Sequence, residues 1–145
     1  MDRPGRRTFI VASVFLFLVG VLHTIGNLTE RTTDPALRAI EASLRGYHVP
    51  LGLGMAPSLM AIQDGLAFTM SGCLLWLGVL GVVIATSDAS AQVLRRMTIT
   101  YLAGCAALVL VYAHYRIPPP FTALALVEVM YLLSLVRQAT GFRRG

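Results

Sequence analysis

Long apolar stretches and short polar ones alternate along this chain. Four of the apolar stretches are long enough to cross a bilayer as helices. They are residues 8–27 (TFIVASVFLFLVGVLHTIGN), a tract within 51–86, residues 97–116, and the shorter 121–137. None alternates with the two-residue period of a barrel strand, so backbone satisfaction in lipid requires helices. The pattern predicts an all-α fold: a single-domain four-helix transmembrane bundle spanning residues 1–145. The tract within 51–86 is too long for one crossing. Gly52, Gly54 and Pro57 punctuate its start, and Pro57 suits a first helical turn, which predicts a helix over 57–86. Its outer turns then project beyond the hydrocarbon or tilt.

The connection over 28–50 carries its own helical signal. Asp34-Pro35 reads as a cap followed by a first-turn proline. Leu37, Ile40 and Leu44 fall on one face, with Arg38, Glu41 and Arg45 on another, and Gly46 can close the helix. This predicts a short amphipathic helix on the outer membrane surface, or one packed over the bundle mouth. The connection HYRIPPP predicts a stiff, extended segment between the last two spans.

Composition strengthens the membrane reading. Hydrophobic residues make up 56% of the 145 and charged residues only 13%, too few to cover a soluble domain of this size. Every one of the 12 basic residues is Arg. The net charge of +5 does not point to nucleic acid, because the arginines stand singly or in pairs beside apolar spans. Eight of them (Arg3, Arg6, Arg7, Arg95, Arg96, Arg137, Arg143, Arg144) fall on one side and four (Arg31, Arg38, Arg45, Arg116) on the other. The bias predicts cytoplasmic termini in a bacterial plasma membrane. The first span is too long for a signal peptide and lacks a small-x-small cleavage site, so it reads as a retained anchor. Cys73 and Cys105 lie in apolar spans without a CxxC spacing and read as small packing residues.

Candidate chemistry rests on polar groups at depth. At about 1.5 Å of rise per residue from the cytoplasmic ends, Glu128 sits roughly 13 Å up, His23 and Ser71 roughly 22 Å, His114 roughly 25 Å and Asp64 roughly 33 Å. These groups lie from mid-membrane outward and predict a polar cavity open to the outer leaflet, with Glu128 at its floor. Intramembrane ionisable residues mark function by default. Lipid disfavours an ionised carboxylate, which keeps a proton available for donation. Glu128 and Asp64 are therefore candidate acids; His23 and His114 would orient the acid or take up the final proton. Asn27, Ser71, Tyr101, Tyr112, Tyr131 and Trp76 are candidate substrate contacts, the tyrosines through cation–π attraction. Bland readings stand beside these: Glu128 as hydrogen-bonded glue between helices, Asp64 as a wet surface group paired with Arg38 or Arg116, the aromatics as core or interface residues. His48 reads as ordinary surface. No helix carries an HxxxH or HxxE spacing, no Gly-rich phosphate loop is present, and no histidines are paired at haem spacing, so neither metal nor cofactor is expected.

HTIG (His23–Gly26) at the end of the first span, QDGLAFTMSG (Gln63–Gly72) in the second and a Pro-rich turn before the fourth resemble a family of small bacterial four-helix membrane proteins. In that family an H-T-x-G motif precedes a D-x-x-x-G-x-G-type helix start. His23, Thr24 and Gly26 match the first motif, and Asp64 and Gly72 fit the second. Ile62 and Gln63 stand where the family's aromatic residues are expected. The resemblance implies a fold and no activity. In design the chain is also similar to small integral membrane terpene cyclases, which use buried carboxylates to protonate an alkene or epoxide. Together these readings favour a cofactor-independent enzyme acting on a lipophilic substrate, an isoprenoid cyclase or isomerase. The alternatives are a lipid-binding or accessory membrane subunit, and a small proton-coupled transporter working as a homo-oligomer.

Overall fold

A computed structural model describes residues 5–29 and 33–142, with the backbone alone at 141 and 142. Arg3, Arg31, Arg143 and Arg144, used above for topology, lie outside the described residues. Among the described residues the fold is all-α. The helices are α1 (Arg6–Leu28), α2 (Pro35–Gly46), α3 (Leu59–Thr86), α4 (Ala91–His114) and α5 (Pro118–Phe142). Four of them, α1, α3, α4 and α5, are long and apolar enough to cross a membrane, which makes this a multi-pass membrane protein. The chain divides into two compact units, one comprising Met1–Val19 with Leu74–Gly145, the other Gly20–Cys73.

Helix ends follow capping chemistry more than apolar limits. α2 starts where expected: Asp34 is extended and accepts from Ala36 N at 2.9 Å, and Pro35 opens the first turn. α3 begins at Leu59, not at Pro57. Ser58 is its cap, accepting from Ala61 N at 3.1 Å, and the Pro57 carbonyl is used by Val49 N instead. α4 starts six residues before the apolar window, because Ser90 accepts from Val93 N and the helix then carries Arg95 and Arg96 on exposed positions. It also stops earlier, at His114 rather than 116. Arg116 takes a left-handed conformation (φ 54°) and Ile117 N donates back to Tyr112 O, a turn that closes the helix.

The three prolines are the clearest correction. Pro118–Pro120 are not an extended tether; they form the first turn of α5. A first turn needs no amide donors, and a proline's fixed φ is already helical, so three prolines fit there at little cost. At its other end α5 runs past Arg137 to Phe142.

In the first unit, α1, α3, α4 and α5 meet around a buried aromatic trio. Phe9, Tyr101 and Tyr131 lie with ring centroids 5.1–5.6 Å apart at tilted or edge-on angles, the arrangement aromatic quadrupoles favour. Tyr131 is completely buried, and its hydroxyl meets Ser13 Oγ at 3.0 Å. Tyr101 donates to Leu77 O at 2.6 Å. Close helix approach depends on small residues. A Cβ at Gly78 would come within 2.6–2.8 Å of Phe17 Cβ, N and Cα, and one at Gly81 would overlap Ser13. Toward the chain ends Gln138 Nε2 donates to Thr98 Oγ1 at 2.9 Å, Ser134 Oγ to Gly5 O at 2.9 Å, and Arg137 to Thr8 Oγ1 at 2.7 Å. Arg6 Nε donates to Ala85 O.

In the second unit α2 has no buried residue. Between it and α3 the backbone folds back on itself. Val49 N donates to Pro57 O at 2.9 Å, Leu51 N to Met55 O at 3.0 Å and Leu59 N to Tyr47 O at 2.8 Å. The tip, Gly52-Leu53-Gly54, has three successive positive φ angles (82°, 51° and 75°). Glycine adopts these freely, while Leu53 does so at about 1 kcal/mol or more.

Candidate functional site

The second unit holds the best-organised polar cluster. His23 and Asn27 are four apart on α1 and share a face, where an i, i+4 pair can touch. Ser71 on α3 completes the group. His23 Nδ1 lies 2.8 Å from Ser71 Oγ and 3.1 Å from Asn27 Nδ2, and Asn27 Nδ2 lies 3.5 Å from Ser71 Oγ. Ser71 is buried; His23 and Asn27 are half-buried. One turn from Ser71, Ala67 O accepts from Ser71 Oγ at 3.1 Å.

These distances admit two hydrogen-bond arrangements at Nδ1. With the ring proton on Nδ1, His23 donates to Ser71 Oγ, and Ser71 donates to Ala67 O. Asn27 then turns its amide oxygen toward Nδ1–H, since the two ends of an amide are alike in size and exchange by a half-turn. With the proton on Nε2, the single lone pair of Nδ1 accepts from Ser71 Oγ or from Asn27 Nδ2. Passing between them requires only that the Ser71 hydroxyl rotate and the Asn27 amide turn. In either form His23 Nε2 has no hydrogen-bond partner among the described residues. The ring is thus held by one nitrogen.

The remaining candidates are placed as follows. Asp64 is half-buried on α3, two turns before Ser71, and engages in an interaction of its own. His48 is tied back by Nδ1 to Ala56 O at 2.7 Å. In the first unit Glu128 is half-buried on α5, within electrostatic reach of Cys105 on α4, with no hydrogen bond or ion pair among the described residues. Glu128 borders the buried stripe Leu124, Val127, Tyr131 and Ser134. His114 is exposed at the end of α4, its ring edge-on to Tyr115 at 5.0 Å, and shares no hydrogen bond with Glu128. Tyr112 is half-buried.

Two aromatic candidates belong to packing and a third does not. Tyr101 and Tyr131 fill the core, and their hydroxyls are engaged by Leu77 O and Ser13. Trp76 is 75% exposed and faces away from its unit's core. Among the described residues no group of three His, Cys, Asp or Glu side chains is placed to hold a metal ion. The residue that sequence reasoning passed over is Ala67, whose carbonyl is the second acceptor of the cluster. Its position one turn before Ser71 is the signal, since intramembrane serines bond back to the i−4 carbonyl.

An apolar groove of about 240 Å³ lies in the first unit between α1 and α3, lined by Val14, Phe17, Gly78, Val79, Val82 and Val83. Comparison with known proteins gives no match: no family model, no curated protein and no solved structure matches the chain.

Proposed function

We propose that this multi-pass membrane protein is an acid–base enzyme acting on a lipophilic substrate, with His23 as its proton-exchanging group. The observation that carries the reading is Ser71 Oγ, within hydrogen-bond distance of both His23 Nδ1 and Ala67 O. With the proton on Nδ1, Nε2 carries a free lone pair. When Nε2 takes up a proton, the imidazolium keeps its donor bond to Ser71, so base and conjugate acid use the same contacts. When the Nδ1 proton leaves instead, Asn27 or Ser71 donates to that nitrogen. The Nδ1 side of the ring can therefore keep a hydrogen-bond partner in each protonation state, which leaves Nε2 to face the substrate.

A carboxylic acid supplies the opposite function. Glu128 and Asp64 are the candidates, and an acid that protonates an alkene or epoxide, followed by a base that removes a proton elsewhere, gives a mass-neutral rearrangement. An isoprenoid cyclised or isomerised in the bilayer fits that chemistry and needs no cofactor. The test is to express wild type, His23→Ala, Glu128→Gln and Asp64→Asn in membranes and supply polyprenyl and epoxy-prenyl substrates. A rearranged product of unchanged mass, lost in His23→Ala and in one carboxylate variant, supports the proposal and names the acid. Equal product from wild type and His23→Ala removes His23 from the chemistry.

A second reading, an accessory membrane subunit, is favoured by a different observation. The groove beside Gly78 is wholly apolar and open, the shape that receives a partner's helix ridge. No product from any substrate, with wild type and variants co-purifying with the same membrane partner, would support that reading.

A further inference from the structure

We infer that the loop between α2 and α3, residues 47–58, is a finger that inserts its apolar tip into the headgroup–acyl boundary of the bilayer. Four large apolar side chains, Tyr47, Leu51, Leu53 and Met55, are exposed on this short segment, and Leu53 is 97% exposed. A free apolar tip of this kind is not a packing element of the protein itself. The chain also carries no Asp, Glu, Lys or Arg between Arg45 and Asp64, so no ionic group has to be taken out of water with it. Position supplies the third argument. The loop feeds directly into α3, a membrane span, and follows α2, whose Leu37 and Ile40 are exposed on one face while Arg38 and Arg45 occupy another. An amphipathic helix of this make-up lies at an interface.

The backbone argues for lipid over water. A segment entering an apolar phase must satisfy its own amides. Here Val49, Leu51, Met55 and Leu59 donate to Pro57, Met55, Gly52 and Tyr47, and Pro50 and Pro57 have no amide hydrogen to satisfy, while the tip amides of Gly52, Leu53 and Gly54 are left for the hydrated headgroup level, which limits the finger to that boundary. The one polar ring of the loop, His48, is folded back onto Ala56 O. Pairing closes the loop, and the two flanking glycines hold Leu53 in a left-handed turn that points it outward.

Depth-resolved quenching tests this on the full chain in phosphatidylcholine vesicles. Trp76→Phe removes the native indole, and Leu53→Trp then reports the tip; Met55→Trp, one residue past Gly54, serves if the tip variant does not fold. The finger predicts blue-shifted emission, strong quenching by lipids brominated near the top of their acyl chains, and protection from aqueous iodide. Red-shifted emission quenched by iodide and untouched by brominated lipid would overturn it, placing the tip in water. Emission shielded from both quenchers would overturn it as well, because a protein partner would then cover the tip.

Discussion

Two regions of this chain use polar residues in opposite ways. Around Phe9, Tyr101 and Tyr131 each tyrosine hydroxyl has one partner, Ser13 Oγ also donates to Phe9 O at 2.9 Å, glycines bring helices into contact, and rings pack at fixed angles. Around His23 one hydroxyl has two acceptors within reach, and one ring nitrogen has no partner among the described residues. The first arrangement specifies a structure. The second is built on a ring whose proton has two possible sites.

The largest test of the contrast is removal of a core ring. Tyr131→Ala should lower stability by about 3–5 kcal/mol, the cost of emptying a large aromatic site, measured by steric trapping or reversible unfolding in bicelles. Gly78→Ala comes next. Its new methyl meets the Phe17 backbone, which cannot rotate away, so a loss of about 1–3 kcal/mol is expected in the same assay. Asp34→Ala should cost α2 about 1 kcal/mol, read as faster hydrogen exchange of the α2 amides with the spans unaffected. The smallest stability effect should be that of Ser71→Ala, about 0.6 kcal/mol, typical of a hydrogen bond between membrane helices. If Ser71→Ala instead destabilised as much as Tyr131→Ala, the polar cluster would be a structural core and the contrast would fail.

Local signals were legible in the sequence and tertiary ones were not. The Asp34-Pro35 start of α2 was readable because cap and proline act within a few residues. His23 and Asn27 could be placed on one face of α1, since i, i+4 geometry is local. The early starts of α4 and α5 were hidden by the apolar windows: Ser90 caps a turn that is polar in composition, and Pro118–Pro120 suit an extended segment equally well. The aromatic trio was out of reach because it joins Phe9, Tyr101 and Tyr131 from three distant helices, and two of its members read instead as substrate contacts. Gly52 and Gly54 announced a break, but nothing in the sequence places a leucine between them at positive φ.

The account turns on the two proton placements at His23, and nitrogen NMR of the imidazole-labelled protein in bilayers reads them directly. The account predicts that wild-type His23 populates both neutral tautomers in exchange, and that Ser71→Ala shifts the population to the Nε2–H form, because Asn27 still donates to Nδ1 while the Ser71 acceptor is gone. A single His23 tautomer in the wild type, unchanged in Ser71→Ala, would contradict it.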